Sequence, residues 1–401
     1  MKILYVSNRV PFPLNEGGTI CIYNYLRGYS EAGVEVTFAA LNGIKHSINI
    51  KEATRELSQY CKLFIVDIDS NVKAGQAFLN LFSHTSYNVS RFDDTTFRQL
   101  LKDLLTKETF DIIQVEGTFV ALYIDTLRHY SNAPIVLRQH NVEYQIWERL
   151  ASNTVNPLKK WYLNLLSRRL KRFEKESLNR FDALVPITVD DADLFNTLGN
   201  TKPVFVSPAG IDTAYWDTSG ISGNPFHVYH LGSLDWMPNR EAVLWFIKEV
   251  WPLVVKTDKR FRLFIAGKNM PLEMKRMVVE NVDMVGEVKD GNSFVRDKSI
   301  CIVPLLSGSG IRLKILEAMA ANKLVISTTI GAQGIEYDNG KHLLIADTPD
   351  QFSAFFQQIA IDSQCFEHVR IAGNHLIHTR YSNKAVVKNL LDFYQTLILA
   401  S

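Results

Sequence analysis

Arg312 and Lys314 flank a single leucine one residue beyond the turn Ser307-Gly308-Ser309-Gly310, and Glu317 follows one helical turn beyond Lys314. Ahead of the turn, Ile300, Ile302, Val303, Leu305 and Leu306 form an apolar run that reads as a buried parallel strand, because such strands are covered on both faces and need not alternate. Behind it, Ile311, Ile315 and Met319 recur at helical spacing among good helix formers, and Leu324 to Ser327 reads as the next strand. In a strand, glycine turn and helix of this kind, backbone N–H groups and the open helix N-terminus converge where an anion can sit. Two cations in the first turn oppose the helix dipole, a cost that a bound anion would offset. Glu317 shares the face of Lys314 and can accept hydrogen bonds from sugar hydroxyls. The chemistry suggested is a cradle for a diphosphate attached to a sugar. The residues alone also fit an ordinary strand-to-helix turn with solvated Arg and Lys.

The run from Ser307 through Gly308, Ser309, Gly310, Arg312, Lys314 and Glu317 to Ala320 resembles the donor-binding signature of the family-four retaining glycosyltransferases of GT-B fold, in the branch reading Ser-Gly-Ser-Gly-x-Arg-x-Lys. Gly331-Ala332-Gln333-Gly334-Ile335 resembles that branch too. The resemblance implies that Gly308, Ser309, Gly310, Arg312 and Lys314 hold the diphosphate and that Glu317 holds the ribose. The wider family carries a further Glu where Ser309 stands, and often an Arg where Ser233 stands. The latter departure leaves Arg312 and Lys314 as the main phosphate cations.

A chain of 401 residues exceeds the size at which one core keeps growing, so two domains are expected. Hydrophobic content of 46% with 21% charged residues excludes a disordered or fibrous class. A net charge of +2 gives no overall pull towards nucleic acid, and no nucleic-acid partner is expected. Cys21, Cys61, Cys301 and Cys365 fit no metal or redox spacing and read as reduced core residues in a cytoplasmic protein. No metal-ligand cluster or resident cofactor is read from the chain, and no apolar run reaches the roughly 18 residues of a membrane span.

Taken in order, strands are expected at Ile3 to Val6, Val34 to Ala40, Lys62 to Asp67, Ile112 to Val115, Ile135 to Arg138 and Ala183 to Ile187, with helices from near Thr19 and at 73–82, 94–106 and 118–130. Alternation of this kind predicts a parallel sheet whose carboxyl ends bind ligand. Gly17 and Gly18 resemble the family's N-terminal loop, which approaches the donor phosphate and the acceptor; as residues they equally fit a plain turn. At the end of the fifth strand, His140 can donate to a sugar hydroxyl or phosphate, with Asn141 and Glu143 placed to orient it. That segment resembles the family's His-Asn-x-Glu stretch, which faces the transferred sugar. In 155–180, Lys159, Lys160, Arg168, Arg169, Lys171, Arg172 and Lys175 interleave with Trp161, Tyr162 and leucines. This is a helix that either lies on an anionic bilayer or packs its apolar stripe inward with a solvated basic face.

Gly, Ser and Pro within 213–225 mark a linker, after which the pattern restarts at His227 to Leu231 and the loop Gly232-Ser233-Leu234-Asp235. Gly232, Ser233 and Asp235 are further site candidates, and Val285-Gly286 resembles the loop holding the nucleobase. The expectation is an α/β GT-B protein. Two Rossmann-like α/β/α domains, 1–212 and 226–381, face a central cleft, and a terminal helix at 382–401 crosses back to the first. The implied activity is retaining transfer from a nucleotide-diphosphate sugar, with His140, Arg312 and Lys314 at the chemistry, to a glycan or lipid-linked acceptor. A sugar-nucleotide epimerase and a non-catalytic nucleotide-sugar-binding relative are the alternatives.

Overall fold

The structure, a computed structural model, describes residues 1–14, 17–43, 48–71, 80, 86–217, 223–308 and 310–400. Ser309, most of the expected helix at 73–82 and the middle of the expected linker lie outside the described residues. The chain divides into two compact units, Met1–Pro208 with Val386–Ser401, and Ala209–Ala385.

The first unit is built on a sheet of β1 (Lys2–Ser7), β2 (Glu35–Gly43), β3 (Lys62–Ile68), β4 (Ile112–Glu116), β5 (Ile135–Gln139) and β6 (Ala183–Pro186). Its order is β3-β2-β1-β4-β5-β6 and every pairing is parallel. The second unit carries β7 (Asn224–Leu231), β8 (Arg262–Ala266), β9 (Val282–Gly286), β10 (Lys298–Val303), β11 (Leu324–Ser327) and β12 (Leu344–Ile345) in the order β12-β11-β10-β7-β8-β9, again all parallel. Counted from each unit's first strand, both sheets have the doubly wound order 3-2-1-4-5-6. Strand order therefore reverses between β1 and β4 and between β7 and β10, where a crevice opens beyond the carboxyl ends.

Continuous burial explains why these segments became strands of parallel sheets. In β10, Ile300 and Ile302 join one apolar cluster with Phe246, Trp251 and Phe356, while Cys301 and Val303 join another with Ile315, Leu316 and Met319 of the helix Leu313–Ala320. Both faces are covered, so a hydrophobic run without alternation is what the position requires. Truncating such a residue, Ile302 for instance, costs about 2–5 kcal/mol. The strand stops at Val303; Leu305 is buried beyond it and Leu306 is exposed, so the last two residues of the expected strand belong to the turn.

Other boundaries also move. Gly17 and Gly18 are the first residues of the helix Gly17–Glu31 and not a loop before it. The segment expected to be a linker contains the short helix Thr213–Trp216, with Trp216 buried, and the start of β7. Asp94 caps the helix Thr95–Lys107 by accepting from Phe97 N at 2.9 Å, and Thr188 does the same for Asp191 N at 3.0 Å. In the first unit, Tyr394 of the terminal helix Asn383–Ala400 donates to Gln114 Oε1 at 2.9 Å, tying that helix to β4.

Candidate active site

In the second unit, the carboxyl ends of β7 and β10 bring two loops to one lysine. Arg312 is the N-cap of the helix Leu313–Ala320, so it precedes the first turn, and Lys314 lies within that turn. Lys314 Nζ donates to Asn239 Oδ1 at 2.8 Å and lies 3.4 Å from His230 Nε2. Asn239 belongs to the helix Met237–Trp245 and is buried; His230 belongs to β7 and is wholly buried. A Cβ on Gly232 would stand 2.4 Å from Lys314 Nζ, so a side chain at this point of the first loop would push the ammonium aside. Gly308 has φ +128°, and a Cβ there would come within 2.7 Å of Arg312 Nη2 and 3.4 Å of Trp236. Arg312 Nη1 donates back to the carbonyl of Gly310, and its guanidinium lies over the Trp236 ring at 5.7 Å.

Arg312 is buried and Lys314 and Glu317 are partly buried, and desolvation dominates the electrostatics of all three. Burial pulls Lys314 down to about 8, although Cys301 and Glu317 act to raise it. Burial pulls Arg312 down to about 10. Burial pushes Glu317 up to about 7, with Lys314 acting to lower it. Lysine and glutamate therefore titrate close to neutrality, where small changes of surroundings alter their charge.

The remaining candidates of this unit have clear places. Ser233 Oγ donates to Asp235 Oδ1 at 2.8 Å and Asn269 Nδ2 to Asp235 Oδ2 at 3.0 Å, so Asp235 braces its loop. Gly286 ends β9 with φ +79°, its carbonyl accepting from Gly267 N at 2.8 Å, while Val285 is exposed.

The first unit holds a different arrangement. Glu116, at the end of β4, contacts both Arg138 Nη1 and His140 Nε2 through Oε1. The carboxylate also accepts from Tyr5 Oη at 2.8 Å and Gln114 Nε2 at 3.0 Å. Arg138 Nη2 donates to Cys21 Sγ at 3.3 Å, and the guanidinium stacks on Tyr25 at 4.0 Å. Burial works against the Glu116 carboxylate, but Arg138 and then His140 outweigh it and bring it down to about 2. Burial also works against a charged His140, yet Glu116 and Cys21 raise it to about 9. Gly18 lies beside Arg9, a Cβ there falling 3.6 Å from Nη1.

Glu116, which the sequence did not single out, contacts the His140 ring, and burial raises Glu143 while His140 acts in turn to lower it. Glu143 opens the helix Glu143–Ser152, where buried Glu174 accepts from the N–H groups of Glu143 and Tyr144, each at 3.0 Å. Burial raises Glu174 to about 7 despite those bonds.

Two family models divide the chain between them. Residues 16–215 match Glycosyltransferase Family 4 and residues 225–362 match Glycosyl transferases group 1. The chain is a glycosyltransferase of GT-B fold. A protein of Klebsiella pneumoniae, described as an uncharacterized 44.6 kDa protein in the cps region, is 23% identical over 97% of this chain and 98% of its own length. Among solved structures, Anabaena HepE in complex with UDP superposes with a TM-score of 0.67 at 13% identity, covering 99% of this chain and 100% of that one. Sucrose-phosphate synthase of Thermosynechococcus elongatus gives 0.67 at 14% identity, with both chains covered in full. At such identities the likeness establishes the fold.

In this glycosyltransferase, then, the structure joins Gly232, Gly308, Gly310, Arg312, Lys314 and Glu317 at one sheet end and keeps His140 with Glu116 at the other sheet's end. Glu116, Arg138, His230 and Asn239 were missed by sequence reasoning. Their signal was present: a charged residue inside the apolar runs of β4 and β5, and a histidine inside β7, are the polar exceptions that a buried strand makes informative. Among the described residues no group of three or more His, Cys, Asp and Glu is placed to hold a metal ion.

Proposed function

We propose that this glycosyltransferase moves a sugar from a nucleotide-diphosphate sugar, with retention of anomeric configuration, to a hydroxyl of a glycan or lipid-linked acceptor. The observation that carries the reading is the Lys314 ammonium, held between Asn239 and His230, beside Gly232 and at the head of the helix that follows Arg312. The barrier to transfer lies in charge building on the departing diphosphate while the sugar becomes oxocarbenium-like. Positioned cations and open helix N–H groups stabilise that charge where it develops. Arg312 and Lys314 take the leaving group, Gly308, Ser309 and Gly310 the diphosphate oxygens, Glu317 the ribose, Val285 and Gly286 the base, and His140 the transferred sugar. With two cations on the leaving group, the reading calls for no metal ion. Gly17 and Gly18, at the open N-terminus of their helix, remain proposals for a second backbone contact to the donor.

HepE was solved with UDP and with UDP-glucose, which supports a nucleotide sugar as donor. The Klebsiella relative is a protein of a cps region, which we read as support for a cell-envelope or extracellular polysaccharide as product. The test is incubation with a panel of nucleotide sugars and lipid or glycan acceptors. Donors are chosen by thermal shift, since a ligand of the native state alone raises its apparent stability, and the product's anomeric centre is read by NMR. A glycoside of inverted configuration would remove the retaining assignment, and release of a free sugar-nucleotide epimer without acceptor would make the protein an epimerase.

For the acceptor side we propose contact with the anionic inner face of the cytoplasmic membrane. The helix Pro157–Leu178 buries Leu163, Leu166, Leu170 and Leu178 while exposing Leu158 and Trp161, next to exposed Val155. Trp161, Arg168, Arg172 and Lys175 fall on its outer face, with Glu176 paired to Arg172, so a mainly basic stripe runs back from an apolar tip. Among the described residues no helix is long and apolar enough to cross a membrane. Anionic vesicles should pellet the protein at low salt and release it at high salt. Equal pelleting with neutral vesicles would remove the electrostatic contact.

A further inference from the structure

We infer that His230 and Asn239 are positioning residues that clamp the Lys314 ammonium from two sides, leaving one of its protons for an anionic ligand. The inference rests on Lys314 being the diphosphate's partner, and deepens that assignment by naming what aims it.

The argument starts from donor and acceptor inventory. His230 Nδ1 lies 3.1 Å from the carbonyl oxygen of Ile302 on the neighbouring strand. A carbonyl can only accept, so Nδ1 carries the hydrogen and Nε2 presents a bare lone pair. That lone pair lies 3.4 Å from Lys314 Nζ. Burial, and then Lys314 itself, push the ring well below its ordinary pKa, so it stays neutral and never becomes a competing cation. Asn239 is fixed by the same logic: its Nδ2 donates to the carbonyl of Ser233 at 2.8 Å, which turns Oδ1 towards Nζ. The floor is Gly232, where any side chain would displace the ammonium.

Two acceptors on an ammonium with three protons leave one. The other groups that act on Lys314 are Cys301 of β10 and Glu317 of its own helix, which favour its charged form, and Arg312, which opposes it. None of them replaces the directional acceptors. A lysine is a point charge on a four-carbon stem with much rotamer freedom, and fixing it before the substrate arrives spares that ordering when the reaction occurs. His230 and Asn239 touch Lys314 and are not assigned any contact with substrate.

The experiment compares wild type with His230→Phe, His230→Gln and Asn239→Ala, each checked for a wild-type circular dichroism spectrum. Two readouts are used: kcat and donor KM across pH, and competitive acetylation of Lys314 followed by mass spectrometry from pH 6 to 10, which needs no substrate. Loss of an acceptor from a charged donor predicts about a tenfold or greater fall in kcat for His230→Phe, with a smaller change in KM. It also predicts that the basic limb of the rate profile and the acetylation midpoint of Lys314 both move to lower pH, because the ammonium has lost a partner. His230→Gln, which keeps an acceptor, should recover most of the rate and restore the midpoint; Asn239→Ala should move the midpoint in the same direction as Phe. A Lys314 midpoint unchanged in both His230→Phe and Asn239→Ala would overturn the clamp, as would a Gln variant no better than Phe. Should the midpoint move while the wild-type protein neither binds nor turns over any nucleotide sugar, the clamp stands and the transferase reading fails.

Discussion

The two sheet ends treat buried charge in opposite ways. At the end of the first sheet, Glu116 stabilises the charged forms of Arg138 and His140 and is stabilised by both, although Arg138 opposes the charge on His140: the carboxylate titrates at about 2 and the imidazole at about 9. At the end of the second, burial works against Lys314 and Glu317 and both titrate near neutrality, at about 8 and about 7. The signs of their contributions to stability follow. His140, raised from 6.5, contributes stability fully present below pH 6.5 and lost as pH rises through about 9. Glu116, lowered from 4.5, contributes stability present above that value and lost as pH falls through about 2. For Glu317, raised from 4.5, ionisation costs the native state nothing below 4.5 and its full amount above about 7. Lys314, lowered from 10.5, costs stability below about 8 and nothing above 10.5. One site therefore supplies its own counter-charge as folded, Glu116 facing both cations, and the other is a cradle whose charges would gain from an anionic, hydroxyl-bearing ligand. Under the proposed function the first is scaffold that aims a histidine and the second is the place where binding energy is collected.

The sharpest way to break the contrast is Glu116→Gln. Removing one member of a buried pair leaves Arg138 uncompensated, and the expected loss is about 3–5 kcal/mol, read from urea unfolding at pH 7. The His140 resonance should titrate well below its wild-type value in the same variant; a wild-type midpoint and titration would show that the network is ornamental. Lys314→Ala comes next, with an expected fall in kcat of about 10²–10³ at little cost in stability, as for removal of one transition-state charge partner. Wild-type turnover by a folded variant would move the leaving-group site elsewhere. In the intact protein, kcat/KM for the donor should rise as Glu317 ionises through about pH 7 and fall as Lys314 deprotonates through about pH 8, giving a narrow bell. A flat profile from pH 6 to 9 would separate both residues from the chemistry. The smallest effect is that of Glu317→Gln, which should stabilise the protein on the order of 1 kcal/mol above pH 7 and not at all below pH 4.5, while weakening donor binding. Equal stabilisation at both pH values would mean that something other than buried charge is being relieved.

Much was legible in the residues because parallel sheets write a strong pattern. The apolar runs of β1, β4, β5, β7 and β10 placed the strands to within a few residues, and the doubly wound class followed from their alternation with helical segments. The glycine turn and the cations after it were visible because their types suit an anion whatever surrounds them. Boundaries were less legible where two local signals compete. Gly17 and Gly18 read as loop by propensity but open a helix, and the Gly- and Ser-rich stretch after Asp212 hid a short helix anchored by buried Trp216.

By itself, then, the sequence determined most of the strand set, the two-unit division and the chemistry offered at 308–317, since each depends on local pattern and residue type. Only the tertiary structure decided which polar groups meet. Glu116 ends β4 and His140 follows β5, while His230 lies in β7 and Lys314 in the helix after β10, and no spacing along the chain encodes their approach. Whether a carboxylate titrates at about 2 or about 7 follows from burial and from the charge beside it, and both are properties of packed neighbours brought together from distant parts of the chain.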